Sequence, residues 1–211
     1  MVTAKKTRRS PVAAPAVAVT QVPVPLKAFY DGGGQHPEFS FARFYWAPAG
    51  EPRESIVGKI LRKRRPAGAE ATEDTAAKVE ALVTRDAPQD YADPNFLVKR
   101  YEEMLASEET TAYAQVTLRF DSEILNLHHP WEVARAWLRS YYVDHNEGVP
   151  VLSILHAPYL AGSDRPVHVH GIILPRRLGK FGWGSMQREL TSDAGHREAI
   201  ASWKTHKAEH L

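Results

Sequence analysis

The chain has 211 residues, 43% of them hydrophobic and 9% aromatic, with a formal net charge of +2 and a pI near 8.8. That is enough for one substantial packed domain plus tails. Cysteine is absent, which excludes disulfides and thiolate metal sites and accords with a cytoplasmic setting. No run approaches the roughly 18 apolar residues of a membrane span.

Lys5, Lys6, Arg8 and Arg9 look like the charged start of an export signal. The next stretch is broken by Pro11, Pro15, Pro23 and Pro25 and has no leucine-rich run, so export is not expected. Residues 1–26 read as a disordered basic tail, and 27–211 as one domain. The stretch 26–50 is aromatic and apolar and contains Tyr30, Tyr45 and Trp46. Residues 54–61 can form a helix or a strand and run into Arg62, Lys63, Arg64 and Arg65, the densest charge cluster of the chain. Residues 66–90 read as a linker or insertion carrying one helix over 75–83.

Asp93-Pro94 is a good start for a helix over 93–106, because Asp caps and Pro is favoured at the first helical position. Residues 111–120 alternate as a strand, with Ala112, Ala114, Val116, Leu118 and Phe120 on one face. Residues 130–142 form the clearest amphipathic helix, in which Trp137, Tyr141 and Tyr142 read as packing residues. His128 and His129 read as helix-start residues. Two strands come next, over 149–156 and 167–174, joined by a turn-rich loop and paired as an antiparallel hairpin. A glycine-aromatic loop over 179–184 and a helix over 194–209 complete the chain. The order of elements predicts an α+β domain, an antiparallel sheet of about five strands with flanking helices.

His168-Val169-His170 carries the chemistry. Side chains alternate along a strand, so the two imidazoles share a face and sit roughly 6.6 Å apart along it. His156, ending the neighbouring strand, can complete a three-imidazole site for one divalent metal. Such a site suits metal-assisted chemistry on a phosphate ester or a carbonyl.

Three families place a His-x-His on a strand. The cupin pattern, a small-molecule metalloenzyme class, finds its glycine in Gly162, but its glutamate positions hold Leu174 and Pro175. The histidine-triad hydrolase pattern needs a third alternating histidine where Ile172 stands. The stretch His156-Ala157-Pro158, then Asp164-Arg165-Pro166-Val167-His168-Val169-His170-Gly171-Ile172-Ile173-Leu174-Pro175-Arg176-Arg177-Leu178, resembles the three-histidine motif of MobA/MobL-type plasmid mobilization relaxases, of the HUH endonuclease superfamily. The segment 179–184 and the helix around Arg197 and Trp203 are similar to the glycine-phenylalanine-glycine segment and the final arginine-tryptophan helix of that family. The resemblance covers about 110–211 and barely extends before it.

The resemblance implies a relaxase-like HUH fold and metal-dependent nicking of single-stranded DNA at an origin of transfer or replication. It implies magnesium or manganese on His156, His168 and His170, although imidazoles by intrinsic affinity also suit zinc, copper or nickel. It implies a tyrosine nucleophile ahead of the histidines, with Tyr45 preferred over Tyr30, and an assisting carboxylate at Glu123, Asp121 being the weaker candidate. Arg62, Lys63, Arg64, Arg65, Arg176, Arg177 and Lys180 are expected to line a path for the DNA backbone. Trp46 and Trp183 are expected to stack on bases. Accessory relaxosome proteins are possible partners, no membrane is expected, and neither is an attached helicase or primase domain. Two other readings stay open: a degenerate relative that binds single-stranded DNA without nicking it, and the cupin-type metalloenzyme.

Overall fold

The computed structural model describes residues 22–30, 36–65, 75–120 and 126–211. Its centre is a six-stranded, fully antiparallel sheet in the order β1-β2-β4-β6-β5-β3. The strands are β1 (Lys27–Tyr30), β2 (Phe39–Tyr45), β3 (Lys78–Leu82), β4 (Thr111–Arg119), β5 (Val151–His156) and β6 (His168–Ile173). Four helices accompany them: α1 (Val57–Arg62), α2 (Pro94–Glu103), α3 (His128–Leu138) and α4 (Asp193–His210). A separate hairpin is made of β7 (Arg176–Gly179) and β8 (Gly182–Met186).

The sheet is buried on both faces, and its side-chain alternation sorts two cores. On one face Val116, Leu118, Val151, Val169 and Ile173 pack with Trp131, Trp137 and Leu138 of α3 and Trp203 of α4. On the other, Leu152, Ile154 and Ile172 pack with Ile60 of α1, Leu97 and Tyr101 of α2, and Leu178 of the hairpin. Residues 112–118 of β4 are therefore all buried. Gly171 is what lets α3 approach: a Cβ there would lie 2.6 Å from Leu138 Cδ2 and 2.9 Å from Val116 Cγ2.

Several elements form as expected. Asp93 Oδ1 accepts from Phe96 N and caps α2, with Pro94 at its first position. Within the stretch 54–61, residues 57–61 belong to the helix α1, which ends at Arg62. Tyr142 is buried against Trp137, and Tyr141 stacks on the same ring. Helix α3 runs on as a π-helical segment, Arg139–Asp144.

Two elements differ. The expected helix over 75–83 is instead β3, paired with β5 from Lys78↔Leu155 to Leu82↔Val151. Alanine, glutamate, lysine and leucine are good helix formers, but propensity is a weak term beside the open hydrogen-bonding edge that β5 offers there. β3 supplies the sixth strand, against about five expected. Its Glu80 carboxylate accepts from Nε and Nη2 of Arg135 on α3. The expected loop over 179–184 is the tip of the β7–β8 hairpin, which turns at Lys180-Phe181 with Gly182 at φ +92°.

Candidate metal centre

His156 of β5 lies directly opposite His168 of β6, and His170 is two residues further along β6 on the same face. The three ring centroids are 4.7–4.9 Å apart, with the rings 75–85° to one another. One nitrogen of each lies within 4.8 Å of the others. Among the described residues the cluster contains no carboxylate.

Each ring is oriented through its second nitrogen. His156 Nε2 is 2.7 Å from the carbonyl oxygen of Lys63, and His168 Nδ1 is 2.8 Å from that of Pro166. A carbonyl only accepts, so both of these nitrogens carry the proton. His170 Nδ1 is 2.9 Å from Thr117 Oγ1 and 3.2 Å from Gln115 Nε2. Gln115 is buried, and its Oε1 has no hydrogen-bond partner.

This bonding leaves His156 Nδ1 and His168 Nε2 facing each other with lone pairs at 3.1 Å. Two acceptors at that distance repel, and a shared cation between them turns the repulsion into ligation. Two imidazole nitrogens on one ion, each roughly 2.1 Å from it, sit roughly 3.0–3.4 Å apart. The donor set thus fits a divalent metal, with Lys63, Pro166 and Thr117 orienting the ligands.

The electrostatics agree. Burial lowers the pKa of His156 to about 4, with His168 adding to the effect. Burial also lowers His168, and drives His170 well below its ordinary value. All three imidazoles are neutral at pH 7, the form that ligates.

The remaining expected residues are distributed unevenly. The run 62–65 closes α1 beside the cluster, with Arg62 and Arg65 exposed and Lys63 and Arg64 half-buried. Arg176, Arg177, Lys180 and Trp183 lie in the β7–β8 hairpin, beyond the far end of β6 and on the order of 20 Å along the chain direction from His170. There Arg177 pairs with Glu147 at 2.6 Å, Arg176 donates to the Gly184 carbonyl, and Lys180 sits 4.7 Å from the Phe181 ring centre. Of the two expected base-stacking tryptophans, Trp183 is half-buried and Trp46 is buried. Trp183 packs on Tyr91 and Tyr101, and Trp46 is 3% exposed and donates to the Glu54 carbonyl.

The two candidate tyrosines part company. Tyr45 pairs with Thr111 at the other end of β4, about 20 Å along the strand from the Thr117–His170 pair. It lines a pocket with Phe29, Arg43 and Thr191 rather than approaching the histidines. Tyr30 is opposite Ala42, which is opposite Gln115, so it shares the histidine face. It stands three strands from β6, roughly 14 Å, and is 62% exposed. Glu123 and Asp121 lie outside the described residues.

Sequence reasoning passed over Gln115, Thr117 and Arg119. Their signal was present as the polar alternates of a strand whose other face is apolar, and it was read only for the apolar side.

No family model matches the chain, and no curated protein matches it. Among solved structures it is similar to one titled "Molecular Basis of Vancomycin Resistance Transfer in Staphylococcus aureus". The TM-score is 0.54 at 18% identity, over 65% of this chain and 71% of the other. At that identity the likeness is one of fold, and it agrees with the expected α+β domain built on an antiparallel sheet. Among the described residues no helix is long and apolar enough to cross a membrane.

Proposed function

We propose that this protein is a metal-dependent DNA-processing protein of relaxase type, acting on single-stranded DNA in plasmid mobilization or rolling-circle replication. The observation that carries the reading is a three-imidazole cluster set among cations, with no carboxylate in it among the described residues. Such a site favours an anionic substrate that brings its own oxygens, as a phosphodiester does. The fold likeness to a structure concerned with resistance transfer supports the same reading. The cupin-type alternative falls, because one antiparallel sheet with helices on both faces is not a double-sheet jelly roll.

In this reading His156 and His168, through the nitrogens that face each other, and His170 would hold the ion. Magnesium or manganese is the proposed metal, and zinc is the alternative that imidazole affinity favours. When bound, it polarises the scissile phosphate and offsets developing charge. The chain's own groups do the rest. A tyrosine oxygen attacks phosphorus, the bond from phosphorus to the 3′ oxygen breaks, and the tyrosine keeps the 5′ phosphate. Tyr30 is the better placed nucleophile, since it is exposed on the histidine face. Glu123 is proposed to accept the tyrosine proton. The exposed Arg62 and Arg65 are proposed to hold the backbone beside the site.

A second reading is a binding protein that has lost nicking. It is favoured by one observation: neither Tyr30 nor Tyr45 hydrogen-bonds to any of the three histidines.

The test is a denaturing gel of the full chain with manganese and single-stranded DNA from its genetic neighbourhood. A covalent adduct lost in Tyr30→Phe and in His168→Ala establishes the nicking reading. Salt-sensitive binding without an adduct supports the binding reading, and absence of both sinks DNA processing altogether.

A further inference from the structure

We propose that Lys63, Arg119 and Arg165 form a phosphate cradle over the histidine cluster, receiving the non-bridging oxygens of one phosphodiester. The proposal deepens the reading of a single-stranded DNA substrate and rests on it.

Three elements converge to place these cations. Lys63 ends α1, and its carbonyl holds His156 while its half-buried side chain stays on that side of the sheet. Arg119 pairs with His168 across the β4–β6 ladder, so both side chains share a face. Its guanidinium donates to Ser40 Oγ at 3.2 Å, which draws it over the histidine side of β2. Arg165 precedes Pro166, whose carbonyl fixes His168. The field of these groups is felt by the imidazoles: Lys63 acts on all three, Arg119 on His168 and His170, and Arg165 on His168.

These three cations gather at one site without acidic partners. Several cations elsewhere are neutralised: Arg43 with Asp193, Lys59 with Glu54, Arg135 with Glu80, Arg177 with Glu147, Arg188 with Glu109, and Lys207 with Glu38. Among the described residues Lys63, Arg119 and Arg165 pair with no carboxylate. Three cations beside a divalent ion repel one another unless an anion sits among them. A phosphodiester is the fitting anion, because arginine presents a planar fork that matches phosphate oxygens and lysine adds a point charge. Gln115, buried beside His170, leaves its Oε1 without a hydrogen-bond partner among the described residues, as a site that takes a polar ligand would.

Lys63 and Arg119 are separable from metal binding. Neither is a ligand, and each adds positive charge beside the ligands. Removing either charge weakens the hold on a phosphate and tightens the hold on a cation, a pair of opposite effects that a merely structural role does not produce.

The experiment measures binding of labelled oligothymidylate to the full chain across a salt series, with manganese and with chelator. The proteins are wild type, Lys63→Gln, Arg119→Gln, Arg165→Gln, and Arg85→Gln as a distant exposed control. Lys63→Gln and Arg119→Gln are expected to weaken binding roughly tenfold or more. Each should also reduce the salt slope by about 0.7. Both should bind manganese at least as tightly as wild type, and Lys63→Arg should restore DNA affinity. Wild-type slope and affinity in Lys63→Gln and Arg119→Gln would overturn the cradle while leaving DNA binding standing. Manganese-loaded protein is also titrated with inorganic phosphate. If wild type binds phosphate through Lys63 and Arg119 but does not bind oligothymidylate, the cradle stands and the nucleic-acid reading fails. If it binds neither, both fail.

Discussion

The Nε2 atom of His156 lies 2.7 Å from the carbonyl oxygen of Lys63, so the end of helix α1 fixes a ring on strand β5. That bond selects the tautomer whose other nitrogen faces His168 and His170. The cluster is therefore prepared by the fold, with neutral rings and with the lone pairs of His156 and His168 turned toward each other.

Thr117 touches a third ring of the cluster, its hydroxyl 2.9 Å from His170 Nδ1. Thr117→Val keeps the shape and removes the oxygen. Manganese affinity is expected to fall roughly 10- to 100-fold, while the melting temperature of the metal-free protein changes little. Titration calorimetry on both proteins checks this, and an unchanged affinity would mean that the hydroxyl does not orient the ring.

The metal-free protein is expected to lose stability in mild acid. Burial lowers His156 from 6.5 to about 4, so between those values the unfolded chain takes up a proton that the native one refuses. Stability therefore rises with pH through this window and falls as the pH drops through it. His156 alone accounts for about 3 kcal/mol between pH 7 and pH 4. His168 and His206, both lowered chiefly by burial, act in the same direction. Melting curves in chelator across this range, for wild type and His156→Gln, should show a smaller acid loss in the variant.

Gly171 separates the metal-side residues His170 and Ile172 and faces α3. Gly171→Val puts side-chain atoms where Leu138 and Val116 already lie. Overpacking there should cost about 1–3 kcal/mol in a denaturant titration. A wild-type midpoint would mean that α3 moves away at no cost.

Trp183 packs edge-on against Tyr91 and lies tilted against Tyr101, under the β7–β8 hairpin. Trp183→Ala is expected to destabilise the protein by about 2 kcal/mol or more and to leave oligothymidylate affinity within about twofold. The opposite pattern, normal stability with weakened DNA binding, would return this ring to the nucleic-acid surface.

The histidine strand pair was readable because it rests on local rules. Alternation puts His168 and His170 on one face, and a turn-rich loop between two apolar runs makes a hairpin. The cap of α2 and the amphipathic α3 are local signals too. β3 was not readable, because Lys78 to Leu82 carry helix-forming side chains and become a strand only through pairing with β5. The choice between Tyr45 and Tyr30 was not readable for a related reason. Both sit among aromatics in the sequence, and only the register of β1, β2 and β4 decides which face and which end each occupies.

The sequence by itself determined an α+β domain, a three-histidine cluster and the chemistry such a cluster supports, since composition, period and residue type act over a few neighbouring positions. Only the tertiary structure decided which groups surround that cluster. Lys63, Thr117 and Arg119 come from α1 and β4, far from the histidines in the chain. Their meeting depends on sheet order and helix docking, where the free energy lies in packing between distant segments rather than in any local pattern.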